Sequence, residues 1–289
     1  MENRQYSPGG FSILPPVVKN LIIINGIFYL ATISLGYSMN IDLIDILGLH
    51  YFKAEKFEFY QFITYMFMHG GFSHIFFNMF ALWMFGSILE QTWGPKRFLI
   101  YYFFTGIGAA IVHYVVFYFQ ITPVVQLIDN FIYQPNIENL QQIVSTHRFA
   151  IFDETGNITS LFEQFKINYS ILVNNPYDTA AMQNVLNFMS EYKIHFLNQP
   201  VVVGASGAVY GLLLAFGMMF PNAMIYLYFF VPMKAKWFVI AFGIIELLSG
   251  IFGRGGNVAH FAHLGGMIFG IILILIWRRK DKKSSNFSY

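Results

Sequence analysis

The chain has no cysteine among its 289 residues. Disulfides, thiol catalysis and thiolate metal sites are therefore excluded, and the redox compartment stays open. Charge is scarce as well. Only 11% of residues are Asp, Glu, Lys or Arg, where a soluble domain carries about 25%. A cleavable signal is not expected, because Gly9, Gly10, Pro15 and Pro16 interrupt the N-terminal stretch. There is also no internal repeat of the kind that builds two-halved transporters.

What the chain does have is apolar length. Hydrophobic residues make up 56% of it, and they fall in runs long enough to cross a bilayer, which takes about 20 residues of helix. Six stretches qualify: 17–36, 63–89, 97–120, 201–220, 236–253 and 258–277. The reading is an all-α integral membrane protein with six spans. The second stretch is the weakest, since it carries His69, His74 and Asn78. Polar groups inside a span are costly and mark candidate functional sites.

Six spans put both termini on one side. With that side cytoplasmic, the inner segments hold eleven basic residues, including Lys96, Arg97, Lys234, Lys236, Arg278 and Arg279, against the acids Glu2, Glu90 and Asp281. The outer segments hold six basic and eleven acidic residues. This asymmetry favours cytoplasmic termini, with residues 278–289 as a basic tail. Two outer segments are long. Residues 37–62 mix charges with Ile and Leu and suit the interface. Residues 121–199 form a polar insertion between spans three and four, either a small folded insert or a lid. The chain thus reads as 1–120 with the first three spans, the insert, 200–277 with the last three, and the tail.

The fourth span opens Val201-Val-Val-Gly204-Ala-Ser206-Gly207-Ala-Val-Tyr210-Gly211. By itself this suits a packing motif, since Gly207 and Gly211 are spaced for close helix approach. The sixth span alters that balance. It reads Ala259-His260-Phe-Ala-His263-Leu-Gly265-Gly266-Met-Ile-Phe-Gly270, and His263, Gly266 and Gly270 share one helix stripe. Two glycine faces packed together would bring Ser206 to a histidine. Ser206 and His263 each lie about five residues into spans that run in the same direction, so they share a depth near the outer leaflet. His74 lies somewhat deeper in span two.

These residues resemble the rhomboid family of intramembrane serine proteases. The family's GxSG appears as Gly204-Ala205-Ser206-Gly207, its AHxxGxxxG as Ala262-His263 with Gly266 and Gly270, and its HxxxN as His74 with Asn78. Gly86 to Phe98 is similar to the family's connection between spans two and three. The resemblance implies a Ser206–His263 dyad with no carboxylate as third member, Tyr210 stacked on the imidazole, and an oxyanion site made by His74, Asn78 and the Ser206 N–H. Gly204, Gly207, Gly266 and Gly270 would support it, and His69 would be structural. It further implies single-span membrane proteins as substrates, the lipid bilayer as surroundings, no nucleic-acid partner, no metal and no cofactor. A bacterial inner membrane is the expected location. Two departures stand out. Tyr60-Gln61 replaces the Trp-Arg of some relatives in the first outer loop, and the insert is much longer than the family's short connection, so that about seventy residues have no family counterpart.

Other readings are weaker. An inactive relative that binds transmembrane clients is expected to lose the serine or the histidine, and both are present. A transporter would line a path across the bilayer, whereas these polar residues gather near one face. Metal binding by His69, His74, His260 and His263 lacks an acid or thiol to join them.

Overall fold

The computed structural model describes residues 13–151, 157–199, 201–227, 231–252 and 257–285. Glu2 and Arg4, counted above as inner charges, lie outside the described residues. Helices α1 (Pro16–Met39), α2 (Phe72–Trp93) and α3 (Pro95–Tyr133) come first. Next are α4 (Ile137–Thr146), α5 (Asn157–Asn174) and α6 (Thr179–Asn198). Helix α7 (Ser206–Met219), strands β1 (Met224–Leu227) and β2 (Val231–Lys234), and helices α8 (Ala235–Phe252) and α9 (Asn257–Ser285) complete the order. The chain divides into two compact units, one of residues 1–49, 59–114 and 202–289, the other of 50–58 and 115–201.

The first unit is a helical membrane bundle. Among the described residues five helices are long and apolar enough to cross a membrane: α1, α2, α3, α8 and the Ala259–Asp281 part of α9. The apolar helix α7 has 14 residues, roughly 21 Å of rise against a hydrocarbon core of about 30 Å. It is shorter than the 201–220 expected because Val201 to Ala205 are apolar but not helical. The span expected at 63–89 is also broken. Gln61–Thr64 and Tyr65–Phe67 form short turns, and α2 begins only after Gly70 and Gly71. Paired glycines at that point weaken helix continuation. Lys234 and its neighbours form an antiparallel hairpin, Met224 facing Lys234 and Leu227 facing Val231. Strands of four residues are too short to register as alternation in a sequence.

Helix α1 shows how a buried acid can organise a bundle. Proline at its first position gives up an N–H that has no helical partner anyway. The Val17 and Val18 N–H groups donate to the Glu90 carboxylate at 3.0 and 2.8 Å. Glu90 is buried, so its charge faces the positive end of the α1 dipole without water between them. In the first outer loop, Gln61 is buried and donates to the Ile46 carbonyl at 3.2 Å, and Thr64 donates to Leu47 at 2.7 Å. Gln61 thus holds the loop through its amide.

The second unit has its own core. Ile128 and Phe131 of α3, Leu140 and Ile143 of α4, and Val185 and Phe188 of α6 are all buried in one cluster. The unit is wider than the 121–199 insert, since it begins at Val115 and includes His50–Glu58. His50 Nδ1–H donates to the Asn198 carbonyl at 3.1 Å, which fixes that short piece. Within the aromatic core the Tyr192 hydroxyl donates to His147 Nε2 at 2.7 Å and accepts the Ala150 N–H at 3.1 Å. Burial lowers the His147 pKa and pushes the Tyr192 phenol up to about 12.

A neutral His147 is therefore part of this fold. Its folded pKa is depressed, so the stability it contributes is complete above the unfolded value of about 6.5 and is lost as pH falls below it. Amide protection factors around residues 143–150 and 188–196, with the base-catalysed intrinsic rate divided out, should be high at pH 7.5 and markedly lower at pH 5.5. Equal protection at both values would mean that the imidazole is not sensed by the core.

Candidate active site

The backbone entering α7 is pinned on two sides. Leu49 and Val202 exchange both N–H···O bonds, at 2.9 and 3.0 Å, and Gly204 N–H donates to the Tyr65 carbonyl at 2.8 Å. Gly204 has φ +114°, a conformation that favours glycine. A Cβ there would also fall 2.6 Å from His74 Nε2. Glycine at this position therefore serves both the backbone turn and the space that the imidazole occupies. Ser206 follows as the first residue of α7, where the opening N–H groups of a helix have no internal partners.

Helix α9 brings His263 to this point. His263 Nε2 lies 2.9 Å from Ser206 Oγ. The Tyr210 ring, one turn along α7 from the serine, stacks on the imidazole with centroids 4.2 Å apart and planes within 7°. The close approach depends on Gly266, whose missing Cβ would collide with the Gly207 carbonyl. The deeper glycines do not meet in the same way. Tyr101 of α3 comes between them, its hydroxyl donating to the Gly211 carbonyl at 2.9 Å and occupying the space beside Gly270. Thr105 lies against Gly211. The expected pairing of two glycine faces thus holds for its outer half, and span three fills the inner half.

One expectation is corrected here. A carboxylate does stand behind the histidine. Glu246 of α8, only 6% exposed, has its Oε2 3.0 Å from His263 Nδ1 and 2.7 Å from His260 Nδ1, within hydrogen-bond distance of both. Its other oxygen accepts the Tyr210 hydroxyl. Glu246 lies in the fifth apolar stretch, 236–253, and hydropathy alone does not say which face of that helix carries it. The readable signal was symmetry: Glu246 and His263 lie equally far from residues 253–256, so an antiparallel α8–α9 pair sets them opposite one another. The acid that histidine-based metal binding lacked is also Glu246, because Glu246, His260 and His263 are of ligand type and mutually close. Their separations of 2.7 and 3.0 Å are those of hydrogen bonds. A metal would have to replace both Nδ1 protons and sit about 2.0–2.2 Å from each donor atom.

Span two contributes as follows. His74 lies against Gly204, two positions before the serine. His69 meets it edge-on at 4.9 Å and donates Nδ1–H to the Phe67 carbonyl at 3.3 Å. Asn78 is buried, and its amide nitrogen donates to the His74 carbonyl at 3.0 Å. One amide N–H is therefore committed locally and the second is left for other use. If that second N–H serves a developing oxyanion, Asn78→Ala should lower turnover by about 10²-fold with the apparent KM unchanged. Kinetics on a transmembrane reporter would decide, since a rise in KM alone would reassign Asn78 to substrate binding.

The family model of the rhomboid domain matches residues 56–122 and 172–280, more than half of the chain, and so includes 172–199 of the insert, which was expected to lack a counterpart. Rhomboid-like protein 11, chloroplastic, of Arabidopsis thaliana is 34% identical over 98 residues, covering 32% of this chain and 34% of that protein. Rhomboid-like protein 15 of the same plant is 29% identical over 89 residues, 31% of this chain and 21% of that one. The chain spans about a third and about a fifth of the lengths of these two relatives.

Proposed function

Because this chain belongs to the rhomboid family, we propose that it is an intramembrane serine endopeptidase in which Ser206 is the nucleophile and His263 its base. The observation that carries this reading is the 2.9 Å separation of Ser206 Oγ and His263 Nε2. His263 takes the serine proton as Oγ attacks a peptide carbonyl, then returns it to the leaving amine. The tetrahedral oxyanion forms at the amino end of α7, where the Ser206 N–H is a preorganised donor at the positive end of a helix. His74, beside Gly204, and Asn78 supply the side-chain donors.

Substrates on this reading are single-span proteins. An intact helix hides its carbonyls in internal hydrogen bonds, so cleavage requires a segment that unwinds near the outer leaflet, where small or helix-breaking residues favour it. The protein is a multi-pass membrane protein. We place both termini on the side bearing the basic loops, the cytoplasmic face of a bacterial inner membrane.

The experiment is labelling of the detergent-purified chain with a fluorophosphonate, the adduct being mapped to Ser206 by mass spectrometry. Ser206→Ala should remove both the label and the cleavage of a transmembrane reporter while leaving the melting temperature within a few degrees. Undiminished cleavage by that variant would overturn the mechanism. A folded wild type that neither labels nor cleaves would turn the reading to a client-binding protein without activity.

A further inference from the structure

We infer that Glu246 is a positioning residue that holds the His263 imidazole in the tautomer able to accept the serine proton, so that the site works as a Ser206–His263–Glu246 array braced by Tyr210 and His260. The inference rests on the reading of Ser206 and His263 as nucleophile and base.

A neutral imidazole carries one N–H and one bare nitrogen. An ionised carboxylate offers only acceptors, so a 3.0 Å contact between Glu246 Oε2 and His263 Nδ1 requires the proton on Nδ1. Nε2 is then bare, and it is Nε2 that faces Ser206 Oγ. In the opposite tautomer, two lone pairs would face each other at the carboxylate, and Nε2–H would donate to the serine instead of accepting from it. After proton transfer the imidazolium lies next to a buried negative charge, where such a pairing counts for more than in water.

The surroundings hold the carboxylate in place. Oε1 accepts the Tyr210 hydroxyl, and Oε2 accepts His260 as well as His263. Tyr210 is on the serine's own helix and stacks on the base, so one side chain ties the nucleophile's helix to the ring and to the acid behind it. Three elements supply one part each: α7 the nucleophile, α8 the carboxylate, α9 the base. A glutamate present only to satisfy a buried tyrosine would not need two imidazole donors on its second oxygen.

Glutamine at this position keeps the size and can accept at one atom, but its amide also donates. A donated N–H toward His263 Nδ1 favours the unproductive tautomer, as an Asp-to-Asn change does in soluble triads at about 10⁴-fold in turnover. In this site, Glu246→Gln should lower turnover and the fluorophosphonate labelling rate by about 10²-fold with little change in KM. Glu246→Asp should recover part of the loss. The decisive readout is the tautomer, taken from ¹⁵N shifts of labelled histidine in the full chain in detergent, with His263 assigned by His263→Ala. Wild type should show His263 protonated at Nδ1, and Glu246→Gln should shift it toward Nε2. A wild-type His263 protonated at Nε2 would overturn the inference without recourse to any variant. So would a folded Glu246→Gln protein that labels at the wild-type rate and keeps the Nδ1 proton. The protease reading fails separately. If wild type never labels while its His263 tautomer follows Glu246, tautomer control stands and proteolysis does not.

Discussion

Replacing His263 with alanine should lower cleavage by roughly 10⁴-fold or more, whereas alanine at His260 should cost about tenfold or less. The larger figure follows from loss of the general base, since triad members in serine proteases fail together once one is removed. The smaller one follows from geometry. His260 touches the same carboxylate oxygen but is half-exposed and makes no contact with Ser206 among the hydrogen bonds of the site. Water can replace its N–H at Glu246, so only part of one charge-assisted bond is lost. Initial rates on a transmembrane reporter, with melting temperatures as the folding control, make the comparison. Loss confined to position 260 would mean that the base sits one turn away from where Nε2 of His263 meets the serine.

Gly266→Ala should be the most damaging added methyl group among the described glycines of the bundle. The new Cβ would press on the Gly207 carbonyl, a backbone atom with no rotamer to yield. Helices α7 and α9 would have to separate, and the same movement would draw His263 away from Ser206. Overpacking of this kind costs about 1–3 kcal/mol, more than the ~1 kcal/mol that alanine gains over glycine in a helix. The variant should therefore melt several degrees lower and label with a fluorophosphonate at least about tenfold more slowly. Gly243→Ala is the matched control, because its Cβ would meet only the flexible end of Met267, at 3.7 Å. Equal behaviour of the two variants would remove close glycine packing as the reason Ser206 and His263 meet.

Much of this was legible in the chain. Hydropathy locates apolar length, and α1, α8 and α9 fall close to the expected spans because their residues are apolar and helical together. It cannot see backbone conformation. Val201, Val202 and Val203 counted toward a span, yet Val202 pairs with Leu49 and the helix begins only at Ser206. The Gly70-Gly71 break in the second span and the short hairpin after α7 escaped for the same reason. At the site, spacing along one helix was readable: Ser206 with Tyr210, and His263 with Gly266. Relations between helices were not. Tyr101 between Gly211 and Gly270 comes from an element distant in sequence, and Glu246 behind His263 is set by the pairing of α8 with α9, so no periodicity within a single span encodes either.

The cap on α1 has a consequence for the order in which the bundle is assembled. Val17 and Val18 find their acceptors on Glu90, which lies 73 and 72 positions later in the chain. Until residue 90 has been synthesised, the first turn of α1 has bare donors at the edge of an apolar segment. The first two helices therefore reach their native relation as a pair, and α1 on its own is an unfinished piece that waits for α2.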